Sequence, residues 1–105
     1  MAWLYLVEEN CDDIKRYKIG VTSAKDPNKR LKKLQTGNPN KLSFRSLFET
    51  DFPFKLEKLM HDFYKEKNIL NEWYELTRED IEDFLTICEK KNIIITSLKD
   101  NPFFL

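Results

Sequence analysis

A basic segment beside a predicted strand end is the part of this sequence best suited to chemistry. Residues Tyr17 to Thr22 are mostly aromatic or β-branched and include Gly20, and a helix that Asp26 and Pro27 are expected to begin follows them. The net charge is +7 between residues 15 and 33 and −7 over the rest of the chain. The cations of this segment are Lys15, Arg16, Lys18, Lys25, Lys29, Arg30, Lys32 and Lys33.

This charge distribution suggests a polyanionic partner. A chain that is polarised along its length can hold DNA on one face without binding it everywhere, and a zero total charge argues against a general coat protein. A solvated, lysine-rich helix face without any partner explains the charge equally well. The segment therefore predicts a DNA-binding face as one of two open interpretations.

A carboxylate on a second predicted helix is the next candidate for chemistry. Hydrolysis of a phosphodiester needs a base for the attacking water, a cation for the phosphoryl oxygens and stabilisation of the leaving oxygen, commonly through a metal ion. The helix begins at Pro53, and its apolar residues follow the spacing of a core-facing stripe. Glu57 falls at the border of that stripe and His61 lies one turn later, so both are expected where the core meets solvent.

The order of the elements indicates an α+β domain. The expected elements are a strand from Trp3 to Glu8, a loose loop, a strand from Tyr17 to Thr22, a helix that a left-handed Gly37 ends, a central strand from Leu42 to Glu49, a helix from Pro53, an aromatic segment from Glu72 to Leu76, a helix from Thr77, a short strand from Ile93 to Ile95 and an apolar tail from Asn101 to Leu105. Because a turn joins the first two strands, we predict a small, mainly antiparallel, three-stranded sheet flanked by three helices.

Length and composition limit the class of protein. The chain of 105 residues is 41% hydrophobic, which predicts one packed domain over residues 1–105. Two distant cysteines, Cys11 and Cys88, and a single histidine are too few for a structural zinc site. We see no apolar run long enough for a membrane and no signal peptide, so an intracellular protein is expected.

Several short motifs together resemble the GIY-YIG nuclease superfamily. They are Trp3-Leu4-Tyr5, Lys18-Ile19-Gly20, the helix that carries Arg30, Leu56-Glu57-Lys58-Leu59-Met60-His61 and Glu72-Trp73-Tyr74. The resemblance spans about residues 2–85. Within the superfamily, the chain resembles most the phage branch, whose domains are called DNA-binding domains or the meiotically up-regulated gene type.

The resemblance implies a role for each of five residues. Tyr5 would help to activate the attacking water, and Arg30 would bind the scissile phosphate. Glu57 would hold a single Mg2+ or Mn2+ ion. Lys18 replaces the tyrosine of the best-known nucleases and could hold a phosphate or lower the pKa of Tyr5, while His61 could position a phosphate or a metal-bound water. Three of the five also have a structural interpretation: Tyr5 packing on the sheet, Arg30 on a solvated helix and His61 hydrogen-bonded at the core edge.

Three functions follow from these residues. The leading hypothesis is a metal-dependent DNA endonuclease or nickase, which takes its specificity from a partner or a homodimer. A DNA-binding module without hydrolytic activity is the alternative that Lys18 favours. A protein-interaction factor that retains the fold is the third, and its contact surface would be the apolar tail from Phe103 to Leu105.

Overall fold

The computed structural model describes residues 1–99 of the chain. Five strands and three helices form an α+β domain. The strands are β1 (Ala2–Cys11), β2 (Ile14–Thr22), β3 (Lys41–Thr50), β4 (Asn68–Leu70) and β5 (Trp73–Tyr74). The helices are α1 (Pro27–Thr36), α2 (Pro53–Phe63) and α3 (Arg78–Lys99), and a 3-10 turn covers Lys65–Lys67.

The sheet has five strands, so the expectation of three was wrong. Its order is β3-β1-β2-β5-β4, and every neighbouring pair is antiparallel. The two additional strands have three and two residues, too few to show an alternating pattern in the sequence. The turn between them contains Asn71, whose φ of 52° lies in the left-handed region that asparagine tolerates.

Strand β3 is an edge strand, and the expectation that it is central was wrong. Among the three long strands β1 is the central one, because it lies between β2 and β3. The imperfect alternation of β3 has another cause: Leu6 is opposite Ser46 and Val7 is opposite Phe44, so Arg45 is an extra residue in a bulge. The bulge lets residues on both sides of Arg45 turn their apolar side chains to the same core.

Two apolar cores cover the two faces of the sheet. One face packs against α2 and α3 through a core that includes Leu6, Ile19, Met60 and Phe84. The other face packs against α1, and its core is built from Tyr5, Val7 and Leu42 with partly buried residues of α1, β3 and β5. Along β1 and β2 alternate side chains therefore belong to opposite layers.

Three local expectations also need correction. The loose loop expected between the first two strands is a two-residue turn at Asp12 and Asp13, and β1 and β2 both extend up to this turn. Gly37 has a φ of −97°, so it ends α1 without the left-handed conformation. Residues Ile93 to Ile95 belong to α3, because Ile95 is buried in the core at helical spacing from Phe84 and Cys88 and this burial outweighs the strand preference of isoleucine. The predicted tail from Asn101 to Leu105 lies outside the described residues.

Candidate functional site

The open edge of β2 is the place where the candidate residues meet. Strand β5 pairs with β2 only at Tyr17 and Lys18, so the edge of β2 beyond them is not covered by a strand. The backbone N–H of Ile19 donates to the carbonyl of Glu72, at a distance of 3.2 Å, and this contact closes the covered part. Side chains from both layers of the fold can therefore approach one another around the edge of β2.

Arg30 reaches this edge from α1. The helix begins as predicted, because the Asp26 carboxylate accepts a hydrogen bond from the backbone N–H of Asn28 at 3.0 Å and Pro27 occupies the first turn. The Arg30 Nε donates to the Tyr5 hydroxyl oxygen over a long distance of 3.5 Å. This contact raises the pKa of Arg30, which therefore stays charged.

Tyr5 lies beneath Arg30 and is closed off from solvent. Its side chain is 1% exposed, and its ring packs against Phe44 with 5.9 Å between the ring centroids. Gly20 is its partner on β2, and a Cβ atom at Gly20 would lie 2.4 Å from the Tyr5 hydroxyl oxygen. The backbone at Gly20 therefore lies directly against the tyrosine ring, which leaves no space for a side chain at this position.

Lys18 forms an ion pair across β2 and β5. Its Nζ is 2.8 Å from the Glu72 carboxylate and 5.6 Å from the centroid of the Trp73 ring. Glu72 also interacts electrostatically with Arg30 on one side and with Glu57 on the other. Glu72 therefore connects the basic and acidic parts of the site.

The acidic part is a group of three possible metal ligands. One ligand atom each of Glu57, His61 and Glu72 lies within 4.8 Å of the other two. The Glu57 carboxylate is 3.8 Å from Nε2 of His61, and Nδ1 of the same ring contacts the Tyr74 hydroxyl. Burial, and then the negative charge of Glu72, raise the pKa of Glu57 above its ordinary value. Two carboxylates held this close to each other favour a cation between them.

A concave pocket of about 370 Å³ surrounds these ligand atoms. Besides the three possible ligands and Tyr74, it is lined by Lys65, Asn68 and Asn71. Asn68 and Asn71 therefore add two side-chain amides to the wall of the pocket. Asn92 lies elsewhere and accepts a hydrogen bond from the Thr50 hydroxyl at 2.7 Å.

The basic part is a groove of about 630 Å³ between α1, the end of β2 and the start of α2. Lys29, Arg30 and Lys33 contribute its positive charge, and Thr22 and Ser23 line the same groove. The exposed lysines of this surface are Lys25, Lys29, Lys32 and Lys33. Within residues 1–99, no carboxylate forms an ion pair with any of these four lysines. Their charge is therefore available to a phosphate backbone.

Two predicted DNA-binding residues are not part of this surface. Lys15 lies on the opposite face of the sheet, where its Nζ is 3.5 Å from the Glu8 carboxylate. Arg16 is paired with the buried Glu9, and its guanidinium is 5.7 Å from the Trp73 ring centroid. The alternation of β2 places Lys15 on the face away from α1, and the ion pair with Glu9 engages Arg16, so the basic segment does not form one continuous surface. A contact of either residue with DNA stays a prediction.

Sequence reasoning missed the position of Glu72. The sequence analysis assigned Glu72 no role in the site, but this residue pairs with Lys18 and lies close to Glu57. Its signal was the Glu72-Trp73-Tyr74 motif, which indicates an extended segment but not the strand that this segment joins. Only the β2-β5 pairing brings Glu72 to the site.

The comparisons with known proteins bear on this geometry. The family model of the T5orf172 domain matches residues 2–89. The chain belongs to the T5orf172 domain family. This family is associated with the GIY-YIG-like nuclease superfamily and identifies the chain as a DNA-binding, nuclease-like module. No curated protein and no solved structure gave a significant match. None of the helices described for this T5orf172 domain has the length and apolar character needed to span a membrane.

Proposed function

We propose that this T5orf172 domain is a small metal-dependent DNA endonuclease or nickase. The observation that carries the proposal lies at the edge of β2, where Glu72 interacts electrostatically both with Arg30 of the cationic groove and with Glu57 of the acidic pocket. Phosphodiester hydrolysis requires these two features side by side, one for the phosphate charge and one for a divalent ion. The family and the resemblance to GIY-YIG nucleases support the same chemistry.

The residues of the acidic pocket fit a Mg2+ or Mn2+ ion. Carboxylate oxygens are the preferred ligands of both ions, and Mg2+ commonly takes one or two carboxylates and completes its shell with water. Glu57 would be the principal ligand, with Glu72 and His61 close enough to contribute. Contact of the His61 Nδ1–H with the Tyr74 hydroxyl would leave Nε2 free to bind the ion. A bound ion would supply stabilisation of the charge that develops on the phosphate and on the leaving oxygen.

Arg30 and Tyr5 would act on the other side of the phosphate. A guanidinium can bind a phosphate through two parallel hydrogen bonds, which are stronger than its long contact with the Tyr5 hydroxyl. Binding would draw Arg30 away from Tyr5 and give water access to the hydroxyl. The Tyr5 hydroxyl oxygen would then accept a hydrogen bond from the attacking water and orient it towards the phosphorus atom, while the proton of that water leaves to solvent.

A DNA-binding module without catalysis is the second candidate. It is favoured by two observations: Tyr5 is 1% exposed, and Lys18, which stands in place of a tyrosine, is bound to Glu72. This candidate agrees with the DNA-binding, nuclease-like character of the T5orf172 domain family. The cationic groove would then serve affinity alone, and specificity would come from a partner or a homodimer.

Nicking of supercoiled plasmid separates the candidates. Wild-type protein, Glu57→Gln and Arg30→Ala are incubated with plasmid and Mg2+ or Mn2+, with EDTA as a blank. Nicking by the wild type that both variants lose supports the nuclease. Absence of nicking together with salt-sensitive binding supports the module. Absence of both at low salt contradicts each of the DNA functions and leaves the protein-interaction factor.

A further inference from the structure

Phe54 is an uncovered aromatic side chain on the wall of the cationic groove. It follows Pro53 in the first turn of α2, and its side chain is 74% exposed. Within residues 1–99, no aromatic or cationic partner contacts its ring. Burial of a phenylalanine side chain contributes about 1.5–3 kcal/mol, and this position forgoes that contribution.

Another phenylalanine of the same helix shows what an ordinary exposed position looks like. Phe63 is 49% exposed, but its ring lies edge-on to Tyr64, with 4.8 Å between the centroids. The ammonium group of Lys91, which belongs to α3, lies 5.3 Å from the centroid of the Phe63 ring. Phe63 is therefore part of the packing between α2 and α3, whereas Phe54 contributes to no such contact.

The neighbours of Phe54 in the groove indicate what its ring would contact. Lys29, Arg30 and Lys33 present positive charge from α1, while the ring of Phe54 stands on the side that α2 forms. Proteins that bind single-stranded nucleic acid combine a cationic groove for the backbone with aromatic rings on which bases stack. A base paired within a duplex offers no free face, and unstacking it costs a few kcal/mol.

We propose that Phe54 stacks against an unpaired base, so that the groove prefers DNA with a single-stranded segment over a continuous duplex. The proposal rests on the proposed function only in that the groove binds DNA, and it holds for either the nuclease or the module. It names a substrate class: strand ends, flaps, bubbles or junctions that present an accessible base beside a phosphate.

Binding measurements without a divalent metal test the proposal. Fluorescence anisotropy compares a labelled single strand with the duplex of the same sequence, for wild type, Phe54→Ala, Phe54→Trp and the control Phe63→Ala. Because stacking contributes about 1–3 kcal/mol for each base, Phe54→Ala is expected to weaken single-strand binding about 5- to 150-fold. Duplex binding should change less than about threefold, and the salt dependence should stay the same because no phosphate contact is lost. Phe54→Trp should retain affinity, and its indole fluorescence should be quenched by the single strand.

Each outcome decides a different question. Equal losses on both DNA forms, or no loss on either, overturn the stacking proposal while the nicking results still decide the proposed function. A wild type that binds neither form at low salt overturns the stacking proposal and the DNA functions together. Circular dichroism of the four proteins checks that none of these changes comes from unfolding.

Discussion

The contact between Gly20 and Tyr5 predicts that alanine cannot replace this glycine without a large cost. The added Cβ would lie 2.4 Å from the Tyr5 hydroxyl oxygen, 2.6 Å from Cζ and 2.9 Å from Cε1, whereas ordinary contacts begin at 3.4 Å. The ring or the strand must therefore move by about 1 Å. Tyr5 is buried against Phe44, so the ring has no free space to move into.

The expected size of the effect follows from this overpacking. Extra methyl groups in a packed core cost about 1–3 kcal/mol, so Gly20→Ala should lower the free energy of unfolding by that amount. For a domain of this length each kcal/mol lowers Tm by about 4–8 °C. Urea denaturation and a thermal scan by circular dichroism measure both quantities.

The second glycine of the chain supplies a matched control. Gly37 has no neighbouring atom within 4 Å of a built Cβ, and its φ of −97° suits any residue. Gly37→Ala should therefore change the free energy of unfolding by less than about 0.5 kcal/mol. In a Tyr5→Leu background the cost of Gly20→Ala should shrink, with a coupling of about 0.5–3 kcal/mol. Equal effects at the two glycines, or no coupling to Tyr5, would refute the explanation.

Three further predictions address the basic surface, the acidic pocket and a buried carboxylate. Burial alone would raise the pKa of Glu9, but three side-chain hydrogen bonds hold that pKa below its ordinary value of 4.5. Glu9 therefore contributes to the free energy of unfolding above the unfolded-state pKa, and this contribution is lost as the pH falls below 4.5. Glu9→Gln should thus lower the free energy of unfolding, measured by urea denaturation, by about 1.5–3 kcal/mol at about pH 7 and by clearly less at about pH 3. The same loss of stability at both pH values would be evidence against this. Lys33→Ala should weaken duplex binding and reduce the slope of log affinity against log salt by about 0.9. The control Lys90→Ala, on α3, should change neither quantity. A Lys33→Ala slope equal to that of the wild type would exclude the α1 groove as the DNA surface. Glu72→Gln should weaken Mn2+ binding at least about 10-fold in calorimetry, and unchanged affinity would remove Glu72 from the ligand set.

The long elements of the fold could be predicted because their signals are local. The first two strands, the capped start of α1 and the start of α2 at Pro53 are each marked by neighbouring residues. Strands β4 and β5 are too short for a periodic signal, and their pairing partner β2 is far away in sequence. The edge position of β3 also depends on non-local pairing, which no pattern within the strand itself specifies.

The candidate site also divides into residues that local motifs predict and contacts that depend on non-local pairing. Arg30 and Glu57 are recognisable from the motifs that surround them. The pairing of Lys18 with Glu72, and the separation of Lys15 from the α1 lysines, follow from strand register and could not be inferred from the charge of the segment. The burial of Tyr5 likewise results from a non-local contact, the packing of α1 across the sheet through Leu31 and Leu34.

The rate of plasmid nicking at saturating protein is the decisive measurement for a metal-dependent nuclease, because saturation separates chemistry from binding. We expect Glu57→Gln to lower this rate at least about 100-fold, as for loss of a group that stabilises transition-state charge, while DNA affinity stays within about threefold of the wild type. A Glu57→Gln protein that nicks at the wild-type rate would exclude Glu57 as the metal ligand of a nuclease site.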